Sequence, residues 1–405
     1  MKIVGQYCPR VEVLNVPWCN NVDTRGLRHV IEGCTLLREL NVGEMRGWDD
    51  VEVMQAIFER NTLERLVLMR CDSLNDESLR TIIVGRDPEI DFLTGRPNVP
   101  SRKLKHLDLT NCRGITDAGA KVLAHNVPNL AGLQLSLCTA LTDTPLLDLL
   151  PTVPLLTHLD IDEVEHLTNA TLQCLANSPC KEVLQHLGVS YCENLGDAGM
   201  LPVLKSCTKL QTLDIDNTRI SDLVLAEAAA LVRARNLLVG RRLRAGERPT
   251  QGLRVVAYDC SNVTWMGVRE ILSRNAEALR SYQPKDSEDD GHVAAAVAER
   301  PTLTYPPTYL SLKAFYTWQP TVDQHTKRVA RGDFAAANRL ERKWADWMML
   351  SEEAGVGGGR RRRRRARLAE QEHADEEVGG GGEGVNPRTG RRRARTGPGQ
   401  GCAVM

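Results

Sequence analysis

Aliphatic residues in the first two-thirds of the chain fall into one recurring frame. In the copy at Leu104–Cys112, two residues separate Leu104 from Leu107 and one separates Leu107 from Leu109. Cys112 follows three positions after the last leucine. Eight copies of this frame occur along the chain, at Val11–Cys19, Leu37–Met45, Leu63–Cys71, Leu104–Cys112, Leu130–Cys138, Leu156–Val164, Leu184–Cys192 and Leu210–Thr218.

The copies recur at a nearly constant interval. Their last residues have the numbers 19, 45, 71, 112, 138, 164, 192 and 218, so the intervals are 26, 26, 41, 26, 26, 28 and 26 residues. The alternating part of each copy predicts a short strand with its aliphatic side chains on one face. The apolar run that follows predicts a helix.

Each helix is predicted to begin at a side-chain cap. A residue with a short polar side chain stands near each predicted helix start, where it accepts a hydrogen bond from a free backbone N–H. The predicted caps are Asp23, Asp50, Asp76, Asp117, Asp143, Asn169, Asp197 and Asp222.

A single unit of this kind cannot bury its apolar face, so the units are predicted to stack on one another. The predicted fold is an α/β solenoid, a horseshoe with parallel strands on its concave face and helices on its convex face. The frame, with its terminal cysteine, resembles the cysteine-containing subtype of the leucine-rich repeat.

Residues 1–280 are predicted to form this solenoid, with about nine units. The ninth is a degraded copy at Gly252–Cys260, and insertions lie near 85–102 and 237–250. Residues 1–8 resemble the end of a helix whose own strand is missing. We therefore expect the chain to begin inside a repeat, as a shortened version of a longer protein.

The composition changes beyond the repeats. Residues 281–354 are predicted to form an extension that contains an amphipathic helix at Asp333–Leu350. This helix is expected to cap the last repeat, and the alternative is a helix that binds a partner. Residues 355–405 are rich in Arg and Gly and poor in apolar residues, so they are predicted to be disordered.

The C-terminus carries a candidate lipidation site. Its last four residues, Cys402–Met405, match the C-a-a-X box, and a final Met directs farnesylation of the cysteine. One prenyl chain binds membranes only marginally, so a second signal is expected. Arg360–Arg365 and Arg391–Arg393 provide a basic surface for anionic lipids. We expect a cytoplasmic protein associated with membranes, with nuclear import through the Arg clusters as the alternative.

Composition and motifs argue against several functions. The net formal charge is zero, so no nucleic-acid partner is expected. Six of the 12 cysteines fall on one repeat position, which favours buried reduced thiols over a zinc site. We find no motif of a hydrolase, a metalloprotease or a phosphate-binding loop, so no enzyme activity and no cofactor is expected. His106, His158 and His186 recur at one repeat position and are interpreted as structural.

Aspartates at the outward positions of the strands are the candidate partner-binding residues. They are expected to line the concave face, with serine and glutamine between them, and to bind a basic segment of a protein substrate. Ordinary solvation of an open polar face is the alternative. The candidates are Asp108, Asp160, Asp162, Asp214 and Asp216.

The repeats resemble those of F-box proteins with leucine-rich repeats, and Phe315–Met349 and the Arg-rich tail resemble fungal members of that group. The resemblance implies a substrate-recognition subunit of an SCF-type ubiquitin ligase. However, no F-box is recognisable in the sequence, so the Skp adaptor and a cullin are expected partners only if an F-box lies upstream. The alternative is an adaptor without ligase activity, tethered to the membrane by its prenylated tail.

Overall fold

The computed structural model describes residues 1–356, apart from residues 20, 49, 240–242, 244–246 and 282–301. The chain divides into two compact units, Met1–Trp344 and Ala345–Met405. The first unit contains all the repeats. In the second unit the described part is residues 345–356, which continue the last helix. Cys402, both Arg clusters and nearly all of the predicted tail lie outside the described residues.

Each repeat contributes a strand of three residues, and the strands form one parallel sheet in chain order. The first nine strands are β1 (Val13–Asn15), β2 (Glu39–Asn41), β3 (Arg65–Val67), β4 (His106–Asp108), β5 (Gly132–Gln134), β6 (His158–Asp160), β7 (His186–Gly188), β8 (Thr212–Asp214) and β9 (Thr250–Val256). β10 (Leu279–Ser281) and β11 (Thr302–Thr304) form a separate antiparallel pair. β12 (Thr308–Lys313) pairs with β9 as the tenth strand of the main sheet.

A helix follows most strands and leads back to the start of the next. The helices are α1 (Lys2–Tyr7), α2 (Thr24–Gly33), α3 (Val51–Arg60), α4 (Asp76–Val84), α5 (Asp117–Ala120), α6 (Asp143–Leu149), α7 (Asn169–Asn177), α8 (Asp197–Ser206), α9 (Asp222–Val239), α10 (Trp265–Asn275), α11 (Gln319–Ala330) and α12 (Phe334–Val356). Short 3-10 turns follow three of them, at Lys121–Leu123, Leu150–Thr152 and Pro179–Glu182. No helix in the described part of the chain is both long and apolar enough to cross a membrane.

The central residues of the strands build the core. Leu107, Leu133 and Leu159 are aligned in register across β4, β5 and β6, and all three are almost fully buried. The same alignment continues through Leu187 and Leu213. These stacked rows confirm the predicted leucine-rich repeat solenoid.

The terminal cysteine of the frame also contacts the neighbouring unit. Cys112 Sγ donates a hydrogen bond to the carbonyl of Leu68, and Cys138 Sγ donates one to the carbonyl of Leu109, each at 3.1 Å. Burial raises the pKa of Cys138 to about 11, and of Cys192 to about 12, so these thiols stay protonated at neutral pH. They therefore act as small apolar residues that donate one weak hydrogen bond.

The predicted helix caps are right for Asp23 and Asp50 and wrong by one position in the following units. There the capping side chain belongs to the preceding residue, which has an extended backbone and accepts a hydrogen bond from the first turn. Those caps are Asn75, Thr116, Thr142 and Thr168. The last two predicted caps, Asp197 and Asp222, are also wrong. The residue before α8 is Gly196, which has no side chain, and at α9 the hydroxyl of Ser221 accepts from the backbone N–H of Leu223.

The aspartate that follows each cap links two units. Asp143 accepts hydrogen bonds from the backbone N–H of Thr168 at 2.9 Å and from its hydroxyl at 2.6 Å. Asp117 holds Thr142 in the same way. A carboxylate at the start of a helix is also favoured by the helix dipole. The same inter-unit link occurs at Asp76–Thr116, Asp197–Ser221 and Asp222–Thr264.

The insertion near residues 85–102 forms a hairpin. Ile90 and Pro97 face each other across it, and its tip carries Phe92 and Leu93, which are 103% and 96% exposed. At its base the guanidinium of Arg102 is buried over the ring of Phe58, 4.3 Å from the ring centroid. The second predicted insertion, near 237–250, lies between α9 and β9, and its residues 240–242 and 244–246 are outside the described residues.

Residues 302–344 close the C-terminal end of the solenoid. β12 adds a strand beyond the ninth unit, and α11 packs against it. The first turns of α12 pack on α10, where Arg269 forms a 2.6 Å ion pair with the buried Glu341 and the rings of Trp265 and Trp344 meet edge to face. The apolar end of the last repeat is therefore covered.

We expect loss of an aspartate link to destabilise the solenoid. Asp143→Ala removes the acceptor of three charge-assisted hydrogen bonds, two from Thr168 and one from Thr171, and should lower the free energy of unfolding by about 2 kcal/mol in urea denaturation. Asp148→Ala, on the same helix, is the control because Asp148 forms only an exposed ion pair with Lys121. It should change the stability by less than about 0.5 kcal/mol. Equal effects of the two substitutions would contradict a structural role for the link.

Candidate functional site on the concave face

Three columns of side chains cross the concave face because the strands are in register. Neighbouring strands of a sheet lie about 4.8 Å apart, so residues at equivalent positions are side by side. From β4 to β8 the first column is His106, Gly132, His158, His186 and Thr212; the second is Asp108, Gln134, Asp160, Gly188 and Asp214. The third, one step beyond the strands, is Thr110, Ser136, Asp162, Ser190 and Asp216.

The structure brings four of the five candidate aspartates together. Asp160 and Asp162, in the unit of β6, and Asp214 and Asp216, in the unit of β8, form what we call the aspartate cluster. Two strand spacings, or roughly 10 Å, separate Asp160 from Asp214, and the residue between them is a glycine. Asp108 is equally far from Asp160 but does not join the cluster, because the side chain of Gln134 stands between them. The carboxylate of Asp108 accepts a hydrogen bond from the backbone N–H of Thr110 at 2.9 Å instead.

A glycine lies at the centre of the aspartate cluster. Gly188 lies between Asp160 and Asp214 in the register of β6, β7 and β8. A Cβ atom at Gly188 would lie 3.0 Å from Oδ1 of Asp160 and 3.1 Å from Oδ1 of Asp162. The two carboxylates therefore occupy the space that a side chain at position 188 would need, and they cover the buried Gly188. Two like charges this close disfavour ionisation of both.

Hydrogen bonds hold the carboxylates in place. Ser136 Oγ donates to Oδ1 of Asp160, and the backbone N–H of Ser190 donates to Oδ1 of Asp162, both at 2.5 Å. The backbone N–H of Tyr258 donates to Oδ1 of Asp216 at 2.6 Å. These contacts use one oxygen of each carboxylate and fix the direction of the other.

Asp214 is held differently. Its Oδ1 is buried and has no hydrogen-bond partner among the described residues. Burial raises the pKa of Asp214, while His186 and Arg254 oppose that rise. A buried acceptor without a donor costs free energy.

The electrostatics of the cluster favour a positively charged partner. Burial, and then the carboxylate of Asp160, raise the pKa of Asp162 to about 7. Burial also raises the pKa of Asp216. Crowding half-buried carboxylates costs free energy whenever they ionise, and a cation placed among them lowers that cost.

The histidines of the first column, interpreted from the sequence as structural, lie on the concave face. His106 and His158 are exposed on the concave face, and the rings of His158 and His186 stack with centroids 6.0 Å apart. Burial is the main cause that lowers the pKa of His106 and of His158, so both are neutral at pH 7. Their place in an alternating strand was the signal for an outward position. Three or more His, Cys, Asp or Glu side chains arranged to hold a metal ion do not occur among the described residues.

The raised pKa of Asp162 predicts a pH-dependent stability. An aspartate in the unfolded chain ionises near pH 4, and in the folded protein Asp162 does so near pH 7. The folded state therefore binds the proton more tightly, and the free energy of unfolding should fall as the pH rises from about 4 to about 7. Asp162→Asn should weaken this fall in thermal denaturation between pH 5 and pH 8, and Asp108→Asn serves as the control. An unchanged pH profile in Asp162→Asn would refute this assignment.

A comparison with protein families agrees with this architecture. The family model described as Leucine Rich repeat matches residues 101–124. F-box/LRR-repeat protein 4 of Bos taurus is 25% identical over 145 residues, which are 35% of this chain and only 20% of that relative. A chain in the crystal structure of the Rad7 and Elc1 complex in yeast is 15% identical, with a TM-score of 0.43, and the match covers 65% of this chain and 73% of that one. The chain is built as a leucine-rich repeat solenoid, an architecture that offers its concave face to protein partners.

Proposed function

We propose that the protein is the substrate-recognition subunit of an SCF-type ubiquitin ligase and binds a basic segment of its substrate on the concave face. In this role it has no catalytic activity of its own. The observation that carries the recognition part is the aspartate cluster around Gly188, with its crowded carboxylates and the unpartnered oxygen of Asp214. The similarity to an F-box/LRR-repeat protein supports the ligase part.

Recognition of a basic segment follows from the charges. A Lys or Arg side chain over Gly188 donates hydrogen bonds to carboxylates that are otherwise close to one another. The same field speeds the encounter with positively charged partners and rejects acidic ones. Serines in the third column add neutral hydrogen-bonding groups, so the surface also binds polar residues next to the basic residue of the partner.

Ligase activity requires a link to the ubiquitin-transfer machinery. In the proposed assembly an F-box binds the Skp adaptor, which recruits a cullin, and the solenoid holds the substrate. No F-box is recognisable in the 405-residue sequence. A second candidate function is therefore an adaptor that binds the same basic partners without promoting their ubiquitination.

Attachment to a membrane is the second part of the proposal. Farnesylation of Cys402, assisted by the arginines of the tail, would place the concave face near an anionic membrane surface. Substrates would then be selected among proteins at that surface. A nuclear location directed by the Arg clusters is the alternative.

We expect neutralisation of the aspartate cluster to separate substrate binding from ligase assembly. Asp160, Asp162, Asp214 and Asp216 are changed together to Asn, which keeps the shape of each side chain and removes its charge. Quantitative co-purification from cells should show at least a tenfold loss of basic partners, while the amounts of Skp and cullin stay at wild-type levels.

Asp108→Asn is the matched control, since Asp108 shares the concave face and lies outside the cluster. An unchanged set of partners in the four-residue variant would refute the recognition site. Absence of Skp and cullin from the wild-type sample would refute the ligase role and leave the adaptor.

The lipid anchor is tested separately. Cys402→Ser removes the acceptor of the prenyl group, so the protein should move from the membrane fraction to the supernatant on cell fractionation. Cys260→Ser is the control, because Cys260 is buried within the solenoid and lies far from the C-terminus in sequence. The same distribution for the wild type and Cys402→Ser would show that the box is not used.

A further inference from the structure

Exposed aromatic side chains gather beside the aspartate cluster, where the last strands of the sheet end. Phe315 and Tyr316 follow β12 and are 43% and 64% exposed, and Tyr191 is 48% exposed. Tyr258 and Trp318 complete what we call the aromatic surface. Tyr191 and Tyr258 lie within copies of the repeat frame, whereas Phe315, Tyr316 and Trp318 follow the last strand.

The aromatic surface is rigid. The rings of Tyr258 and Tyr316 stack with centroids 5.0 Å apart, and Phe315 meets Trp318 edge to face at 5.4 Å. The backbone N–H of Trp318 donates to the carbonyl of Phe315 at 2.9 Å. Aromatic side chains already fixed in place lose little entropy on binding, and such residues dominate the energetics of many interfaces.

Asp216 connects the aromatic surface to the aspartate cluster. Its Oδ1 accepts a hydrogen bond from the backbone N–H of Tyr258, and its carbonyl accepts one from the backbone N–H of Tyr191 at 2.7 Å. The nearby cation of Lys313 is already paired with Asp323 at 2.9 Å. Apolar and negative areas therefore adjoin, which suits a partner with both an apolar and a positive side chain.

The strand spacing sets the distance between these two side chains. Three strand steps lead from Gly188 on β7, through β8 and β9, to the end of β12. At about 4.8 Å for each step this is roughly 14 Å. An extended peptide rises about 3.3 Å per residue, so it covers this distance in about four residues. Residues four apart in an extended chain also point to the same side.

We propose that the concave face binds an extended segment of a protein partner in which a Lys or Arg is separated by four positions from an aromatic or large aliphatic residue. The basic side chain binds the carboxylates that cover Gly188, and the apolar side chain lies on Tyr258 and Tyr316. The residue midway between them faces Asp216, where a second basic side chain is favoured. This inference rests on the proposed recognition of a basic segment and specifies its sequence.

Synthetic fluorescent peptides test the spacing. The probe contains Lys-Ser-Lys-Ser-Phe between Gly-Ser ends, and it is compared with Lys-Ser-Lys-Phe-Ser and Lys-Ser-Lys-Ser-Ala in the same frame. Both chain directions are included. Fluorescence anisotropy with the full chain should give an affinity about tenfold higher for the first peptide than for the other two, in at least one direction.

Two variants locate the effect. Tyr316→Ser should lower the affinity for the Phe probe about tenfold and leave the weak binding of the Ala peptide unchanged. Phe92→Ser is the matched control, because it removes an exposed aromatic side chain at the tip of the distant hairpin, and it should bind all peptides as the wild type does. Circular dichroism of both variants checks that the fold is retained.

The outcomes separate this inference from the proposed function. If the Ala and Phe peptides bind equally well and both depend on the aspartates, the spacing rule is wrong and recognition of basic segments stands. If no basic peptide binds, both are wrong. If Tyr316→Ser and Phe92→Ser behave alike, the aromatic surface is not the apolar subsite.

Discussion

Each unit depends on lateral contact with its neighbours for the hydrogen bonds of its strand and for the burial of its leucines. The strand of one unit completes its hydrogen bonds with the next strand, and its leucines are buried only when the neighbouring row covers them. Aspartates at helix starts, such as Asp143, and cysteines that follow strands, such as Cys138, bond to a neighbouring unit. These links fix the register, and the register places the polar columns side by side on the concave face.

The repeat frame predicts the fold well because burial determines it position by position. Leu104 to Cys112 contains the strand, its inward residues and the buried thiol, and the other copies repeat them. The exact cap cannot be read from one unit, since Thr116 and Asp117 are both good capping residues and only the neighbouring unit shows that Asp117 bonds to Thr142. β12 escaped prediction because Leu310 and Leu312 alternate without the rest of the frame.

The aspartate cluster could be predicted in part for the same reason. Alternation within a strand places Asp160 and Asp214 outward, and this is what the structure has. Alternation does not show which residue lies between them in the sheet. The position of Gly188 in the cluster and that of Gln134 beside Asp108 depend on the register of several strands. The contribution of Tyr316 was also hidden, because this residue follows a strand that does not carry the repeat.

The reactivity of the buried thiols depends on local opening of the solenoid. Cys112, Cys138 and Cys192 are inaccessible and protonated while the units stay stacked, whereas Cys8 and Cys19 are exposed near the first repeat. A thiol in the column becomes reactive only when its unit separates from a neighbour. Alkylation rates measured thiol by thiol would therefore map how cooperatively the array opens along its length, without the introduction of any label.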